Sequence, residues 1–346
     1  MSAKEKKIIL IGGIGRPGEF GGELTKNKLI AGRLEELGYK VIGADTAGAS
    51  RHPWRLLRIP AALLRGGRRA PVIFSTSFAN VRPIVKTLGA LCPGRRLIYW
   101  VIGGNLADRI ANGPYRPGDF NPFSHILVEG KKMVEDLSAL GLRGLRHVPN
   151  FKQLTFMPDA KDKRIAPREG LRCVFFSRII PEKGVGLILD ACERLKERGL
   201  TVDFYGEIDP AYRQEFLSRI DSLDNAAYRG TLDFFTPSGL QTLSGYHLTL
   251  FPTYWRGEGF PGVVVDSLAA SVPILASRWN LNEEVLPQGC GFFCEPRDGE
   301  SLISALTAIT ENPERLNPMF ARCAEEAARF DVRNVITPQL CNDLFH

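Results

Sequence analysis

The chain has 346 residues, enough for two domains at about 100–200 residues each. Its hydrophobic (44%) and charged (24%) fractions are ordinary for a soluble globular protein, and no apolar run approaches the ~18 residues of a membrane span. The net charge of +7, from 45 basic against 38 acidic residues, suits a phosphate-rich partner: a nucleotide, a nucleic acid or an anionic membrane surface.

The apolar run at 8–11 is too short for a secretory signal, so the expected location is the cytoplasm. The seven cysteines match no disulfide framework, and Cys290 and Cys294 make a CxxxC with no histidine nearby. The five histidines are scattered, and no metal site is expected.

In chain order, short β-branched runs alternate with helix-length amphipathic segments, the pattern of parallel sheets with crossover helices. Strands are expected at 7–12, 40–44, 70–75, 96–102, 125–129 and 146–149, with helices such as 22–37 and 81–91 between them. The polar stretch 157–167 has no period and reads as a linker. A second set follows: strands at 171–176, 201–205, 226–229, 247–251 and 272–276, with helices at 184–198, 210–220, 262–270 and 301–310. Helical stretches at 313–328 and 332–344 close the chain. The fold class is α/β, two doubly wound Rossmann-like domains facing across a cleft, with ligands expected beyond the carboxyl ends of the strands.

The first strand runs into Gly12-Gly13-Ile14-Gly15-Arg16-Pro17-Gly18-Glu19-Phe20-Gly21-Gly22. Gly13, Gly15 and Gly18 satisfy G-x-G-x-x-G, and Asp45 ends the second strand, which would make a dinucleotide fingerprint. The helix of that motif should open within the glycines, however, and here it starts only near Gly22. The segment therefore reads as a loop offering backbone N–H groups to a phosphate or sugar. An NAD-dependent oxidoreductase and a purely structural turn are the alternatives.

The strand at 171–176 gives way to Ser177-Arg178-Ile179-Ile180-Pro181-Glu182-Lys183-Gly184 and then a helix. Arg178 and Lys183 flank that turn, so both can aim at one anion, such as a departing diphosphate. The plainer reading is two solvated cations. The strand ending at Phe251 leads to Glu258-Gly259-Phe260-Pro261-Gly262 and a helix carrying Asp266. The glycines let backbone approach a ligand, the helix start offers free N–H groups, and the carboxylates suit sugar and ribose hydroxyls. Either carboxylate alone would more often be a surface residue.

Together these segments resemble the GT-B glycosyltransferases of family 4, and Gly21-Gly22-Glu23-x-Thr25-Lys26-Asn27 resembles the opening loop of the polysaccharide-synthesis members. The resemblance spans nearly the full chain in order. It implies a first, acceptor-side domain at 1–155, a nucleotide-sugar domain at 168–328, and a C-terminal helix at 329–346 crossing back to the first domain. It also implies a retaining enzyme in which Arg178, Lys183 and Glu258 hold the donor's diphosphate and sugar and Asp266 the ribose. No cofactor is implied, nor a metal bound through DxD, a motif this sequence lacks. Two positions depart from the pattern: Asp266 stands where the family has a second glutamate, and Ile102-Gly103-Gly104-Asn105 stands where many members have a histidine. The substrate-binding set is then Gly13, Gly15, Gly21, Gly22, Gly103, Gly104, Asn105, Gly259, Phe260, Pro261, Gly262 and Asp266. The acceptor would be a saccharide or a polyprenyl-linked saccharide, for a surface polysaccharide. A GT-B epimerase and a non-catalytic assembly partner on the membrane are rivals.

The stretch 51–69 holds six arginines and no acid. As a helix it would put Arg51, Arg55 and Arg58 on one face and Trp54, Leu57, Ala61 and Leu64 on another, with Pro60 disturbing the middle. Such a segment suits peripheral binding to an anionic membrane, here the inner face of the plasma membrane, and equally suits a crossover helix with a solvated outer face. Nucleic acid is not expected, since only Trp54 offers a base a stacking surface.

Overall fold

The computed structural model describes residues 6–15, 22–49, 52–91, 94–159, 163–166, 169–233 and 236–346. The chain divides into two compact units: unit 1 is Met1–Gln153 with Asp331–His346, and unit 2 is Leu154–Phe330.

Unit 1 holds a six-stranded sheet built from β1 (Lys7–Gly12), β2 (Lys40–Asp45), β3 (Val72–Ser75), β4 (Leu97–Trp100), β5 (His125–Val128) and β6 (Leu145–His147), in the order β2-β1-β3-β4-β5-β6. Every pairing is parallel. Parallel strands covered on both faces are continuous apolar runs, as the fully buried β3 and β4 are. The helix Gly22–Glu36 lays Ile30 and Leu34 on a core with Ile8, Leu10, Trp100 and Phe151. Asp331–His346 joins this same core through Val332, Ile336, Leu344 and Phe345, and Lys152 bridges Asp331 in parallel at its start.

Unit 2 carries β7 (Leu171–Phe176), β8 (Leu200–Tyr205), β9 (Ala226–Tyr228), β10 (Leu248–Phe251), β11 (Ile274–Ser277) and β12 (Gly291–Cys294), in the order β12-β11-β10-β7-β8-β9, again all parallel. The order reverses between β7 and β10, and it is there that α/β sheets open a crevice beyond their strand ends. Strand β12 is absent from the sequence expectation. It is a four-residue edge strand, mostly half-buried, with no alternation to reveal it.

Part of the expected linker is packed rather than free. Ile165 is buried in the unit 2 core, and Lys163 Nζ donates to the carbonyls of Tyr246 (2.7 Å) and Ser271 (3.2 Å) with Phe320's ring 4.4 Å away. Desolvation pushes the Lys163 amine down to about 7.

Candidate functional site

In unit 2 the site grows from the two loops at the switch point. After β7, a single turn at Pro181–Lys183 ends in Gly184 with φ of +78°. A Cβ on Gly184 would lie 2.3 Å from the Pro252 carbonyl oxygen, so only glycine lets this loop rest on the loop after β10. Tyr254 N donates to Glu182 O at 2.8 Å and fastens the two loops together.

That contact brings Lys183 to Glu258. Lys183 Nζ lies 2.5 Å from Glu258 Oε2, both side chains are buried, and the Thr253 hydroxyl donates to the same oxygen at 3.1 Å. Burial pushes the Lys183 ammonium below its ordinary value and the positive charge of Arg178 adds to this; Glu258 opposes both without overcoming them. Arg178 is exposed and stacks its guanidinium 4.9 Å from the Trp255 ring centre, while Lys183 lies 5.1 Å from the same ring. Two cations thus share one indole beside a buried carboxylate.

The Glu258 loop is braced from the β11 side, where Asn280 Nδ2 donates to Glu258 O and Trp279 Nε1 donates to Trp255 O, both at 2.9 Å. Gly259, Phe260 and Pro261 are buried, and Phe260 packs edge-on against Phe330 at 5.5 Å, which anchors the loop. Pro261 then caps the helix Gly262–Ala269 in an extended conformation with no side-chain acceptor; Val264 N donates to Pro261 O at 3.1 Å, and no side chain of the cap takes the N–H groups of Gly262 and Val263. Asp266 is buried one turn into that helix.

In unit 1 the glycine loop leaves β1 at the sheet's own switch point, between β1 and β3. A Cβ on Gly12 would lie 2.3 Å from Ser75 O, so this glycine is demanded by close packing. Asn27 Nδ2 spans the gap, donating to Gly13 O (3.0 Å) and Ser75 O (2.9 Å), and Gly13 N donates to Glu23 Oε1 (2.9 Å). Lys26 is buried in an ion pair with Glu129 at 2.6 Å. The Lys26-Asn27 pair of the family-like motif therefore ties the loop to β3 and β5. Ile14 and Gly15 donate to Asp45 Oδ1 at 2.9 and 3.1 Å, and so does Ala47 at 3.0 Å. Burial would raise the Asp45 carboxyl, but these three donors and the Arg58 charge hold it below the usual range.

This weighs against the dinucleotide alternative. The acid that would hold a ribose hydroxyl is already occupied by the loop's own backbone. Gly22 opens the helix Gly22–Glu36, while Gly21 lies outside the described residues. Gly103 and Gly104 follow β4, and Asn105 caps the helix Leu106–Ala111 with its side chain making no cap bond.

Residues 170–312 match the family model described as Glycosyl transferases group 1. The chain is 24% identical to the phosphatidyl-myo-inositol mannosyltransferase of Mycolicibacterium smegmatis, over 86% of this chain and 83% of the relative. It is 23% identical to the Mycobacterium leprae protein of the same name, over 79% and 81%. The fold matches sucrose-phosphate synthase from Thermosynechococcus elongatus at a TM-score of 0.76 with 16% identity, covering 99% of each chain. It matches Anabaena Alr3699/HepE in complex with UDP at 0.71, with 16% identity over 98% and 99%. The fold is that of the GT-B glycosyltransferases, and residues 170–312 carry the match to that class of enzyme.

Within unit 2, the structure brings together Lys183, Glu258 and, through Trp255, Arg178; Gly259–Gly262 follow directly on Glu258. Sequence reasoning gave no role to Trp255, Thr253, Trp279 or Asn280. Trp255 was the detectable one, an aromatic inside a glycine-flanked loop. Arg297, left-handed at φ of +61° and stacked on Tyr254 (5.2 Å) and Trp279 (5.8 Å), carries no sequence signal at all.

Among the described residues no group of three or more His, Cys, Asp or Glu is placed to hold a metal ion. The described cysteines are buried and free, and Cys92 lies outside the described residues.

The arginine-rich stretch of the enzyme folds as a 3-10 turn, Pro53–Leu57, followed by the helix Arg58–Gly66. Its buried side is Ile59 and Ala62; the expected apolar face is instead exposed, with Trp54 at 62%, Leu57 at 71% and Leu64 at 83%. Arg55 donates to Ala47 O and Arg58 pairs with Asp45 at 3.2 Å, so those two arginines fasten the segment to the end of β2. Arg51 lies outside the described residues. Among the described residues, no helix is long and apolar enough to cross a membrane.

Proposed function

We propose that this enzyme takes a sugar from a nucleotide-diphosphate sugar bound to unit 2 and passes it, with retention at the anomeric carbon, to a saccharide or polyprenyl-linked saccharide. The observation that carries this reading is the buried Lys183–Glu258 pair at the switch point of the second sheet, next to the start of the helix Gly262–Ala269. Glu258 accepts from the sugar hydroxyls, the helix N–H groups meet a phosphate oxygen, and Asp266 reaches the ribose. Arg178 and Lys183 neutralise the charge that builds on the departing diphosphate. The bond from the anomeric carbon to the phosphate oxygen breaks as the acceptor oxygen bonds on the same face. The acceptor proton passes to the leaving phosphate, so no protein base is consumed. With two cations in that role the reaction runs without a metal. A UDP complex of a protein with this fold supports a nucleotide donor.

The test is thermal stabilisation by UDP-, GDP-, dTDP- and ADP-sugars, with the double variant Arg178→Ala/Lys183→Ala as control. One nucleotide class should stabilise the enzyme and lose its effect in the variant. Stabilisation by NAD, and by no sugar nucleotide, would sink the proposal.

The enzyme works at the inner face of the plasma membrane, in surface polysaccharide synthesis. Trp54, Leu57, Ala61 and Leu64 are all exposed at three- and four-residue spacing beside exposed Arg65, Arg68 and Arg69, the chemistry of an anionic lipid surface. A relative named for phosphatidyl-myo-inositol supports a lipid-borne acceptor.

A further inference from the structure

Among the described residues, three that are not glycine hold a left-handed φ: Ser271 at +58°, Asn280 at +47° and Arg297 at +61°. That region strains an L side chain, and the strain persists only where contacts over-determine the residue. Asparagine tolerates it better than most, because its short amide bonds locally; arginine has no such compensation. Asn280 and Arg297 lie in the loops after β11 and β12, and the Glu258 loop follows β10. The three strands are parallel neighbours in the sheet, so these loops leave from the same end.

Both strained residues bear on the Glu258 loop. Asn280 Nδ2 donates to Glu258 O at 2.9 Å. The Arg297 guanidinium lies over two rings, 5.2 Å from the centre of Tyr254 and 5.8 Å from that of Trp279. Trp279 Nε1 donates to Trp255 O at 2.9 Å, and Ser277 Oγ donates to Thr253 O at 2.5 Å. The segment 253–258 is thus held at Thr253, Tyr254, Trp255 and Glu258. Within that set Arg297 joins the Tyr254 ring to the indole that bonds the next residue's backbone.

Arg297 adds little to stability. It is exposed and makes no ion pair among the described residues, so the two rings are its contacts. Two exposed cation–π contacts return about as much as the left-handed backbone costs. An arginine kept without net gain, against the loop that carries the buried carboxylate of the site, points to a role in the site.

We infer that Arg297 is a positioning residue: it pins Tyr254 to Trp279 and so fixes where Glu258 meets the donor sugar. The inference rests on the reading of Glu258 as the acceptor of sugar hydroxyls. It adds a residue from another strand end on which that contact depends.

The experiment is calorimetric titration of the full chain with UDP-glucose, GDP-mannose, dTDP-glucose and ADP-glucose, each alongside its nucleoside diphosphate. Arg297→Gly removes the guanidinium and relieves the backbone at once, so its urea midpoint should match that of wild type. Its affinity for the sugar nucleotide that binds wild type should nonetheless fall about tenfold, the value of one hydrogen bond to a charged group. The nucleoside diphosphate should bind as before. Arg297→Lys keeps a cation over the rings and should recover part of the lost affinity. A markedly lower urea midpoint in Arg297→Gly would make Arg297 a residue of the fold and overturns the inference. Unchanged affinity for the sugar nucleotide overturns it too, with the donor reading intact. So does an equal loss for both ligands, which puts the effect on the nucleotide. If no sugar nucleotide binds wild type, the donor reading falls and the inference falls with it.

Discussion

Lys183 and Glu258 stand 75 residues apart in sequence and 2.5 Å apart in space, both buried. Removing one partner of such a pair leaves an uncompensated charge, at a cost of about 3–5 kcal/mol, whereas replacing both with apolar or neutral isosteres is often close to neutral. Lys183→Met and Glu258→Gln should therefore each lower the urea midpoint strongly, and the double variant should recover most of the loss. Nucleotide-sugar stabilisation should be absent from all three. Additive losses in the double variant would show that the pair is not coupled.

The same pair sets a pH dependence. Lys183 titrates below its unfolded value, so the unfolded state binds more protons and stability rises with pH above the folded value. In Glu258→Gln the partner that opposes this shift is gone, and the folded value falls further. The variant's deficit against wild type should shrink as pH is raised towards the ordinary lysine range, read as the difference in unfolding midpoint. A deficit independent of pH would contradict this.

Gly184 is the hinge of the arrangement. With φ of +78° and a Cβ position 2.3 Å from Pro252 O, Gly184→Ala meets both a left-handed penalty of about 1–2 kcal/mol and a backbone clash. It should lower the unfolding midpoint and also reduce nucleotide-sugar affinity, because relief of the clash pulls Lys183 off Glu258. Lost stability with unchanged affinity would separate the turn from the site.

The strands that sequence made legible are those buried on both faces, such as 72–75 and 248–251, because a parallel sheet writes continuous apolar runs. Gly291–Cys294 was not legible because an edge strand needs no such run. The site was half legible. Arg178, Lys183 and Glu258 stand out by type and by their strand-to-helix turns. That Lys183 and Glu258 form one buried pair depends on β7 lying beside β10, a product of strand order that no local pattern carries. The stretch 51–69 was read by periodicity, which finds an apolar stripe but cannot say whether core or solvent faces it; Ile59 and Ala62 took the core instead.

That exposed stripe makes a sharper membrane test than its arginines. Arg55 and Arg58 hold the segment to Ala47 and Asp45, so changing them confounds folding with binding. Trp54→Ser with Leu64→Ser should leave the unfolding midpoint within about 0.5 kcal/mol of wild type, as exposed positions do. Flotation with phosphatidylglycerol vesicles should fall sharply, and Arg65→Glu with Arg68→Glu should do the same. Undiminished flotation in both pairs would remove the membrane assignment.

Lys163 gives a prediction independent of the site. Its amine is pushed down to about 7 by burial, against an unfolded value of 10.5, and donates to two carbonyls. Between these values the unfolded chain binds the extra proton, so the wild type gains stability as pH climbs from about 7 towards 10.5. In Lys163→Met that contribution is absent. The wild type's advantage over the variant should widen with pH across this window; a gap that narrows would reverse the sign.

Arg178 separates chemistry from folding. It is exposed and lies on the Trp255 ring without entering the buried pair, so Arg178→Ala should leave the urea midpoint almost unchanged. If the guanidinium meets charge that develops only as the diphosphate leaves, its loss falls on turnover, by about 10²–10³ for one well-placed donor. Single-turnover transfer from the stabilising sugar nucleotide is the measurement. Arg178→Lys should restore part of the rate, since a charge without the planar fork still neutralises phosphate but stacks poorly on indole. A variant whose KM rises while kcat holds would make Arg178 a ground-state anchor for the donor. A loss of kcat with KM held places its contribution in the departure of the diphosphate.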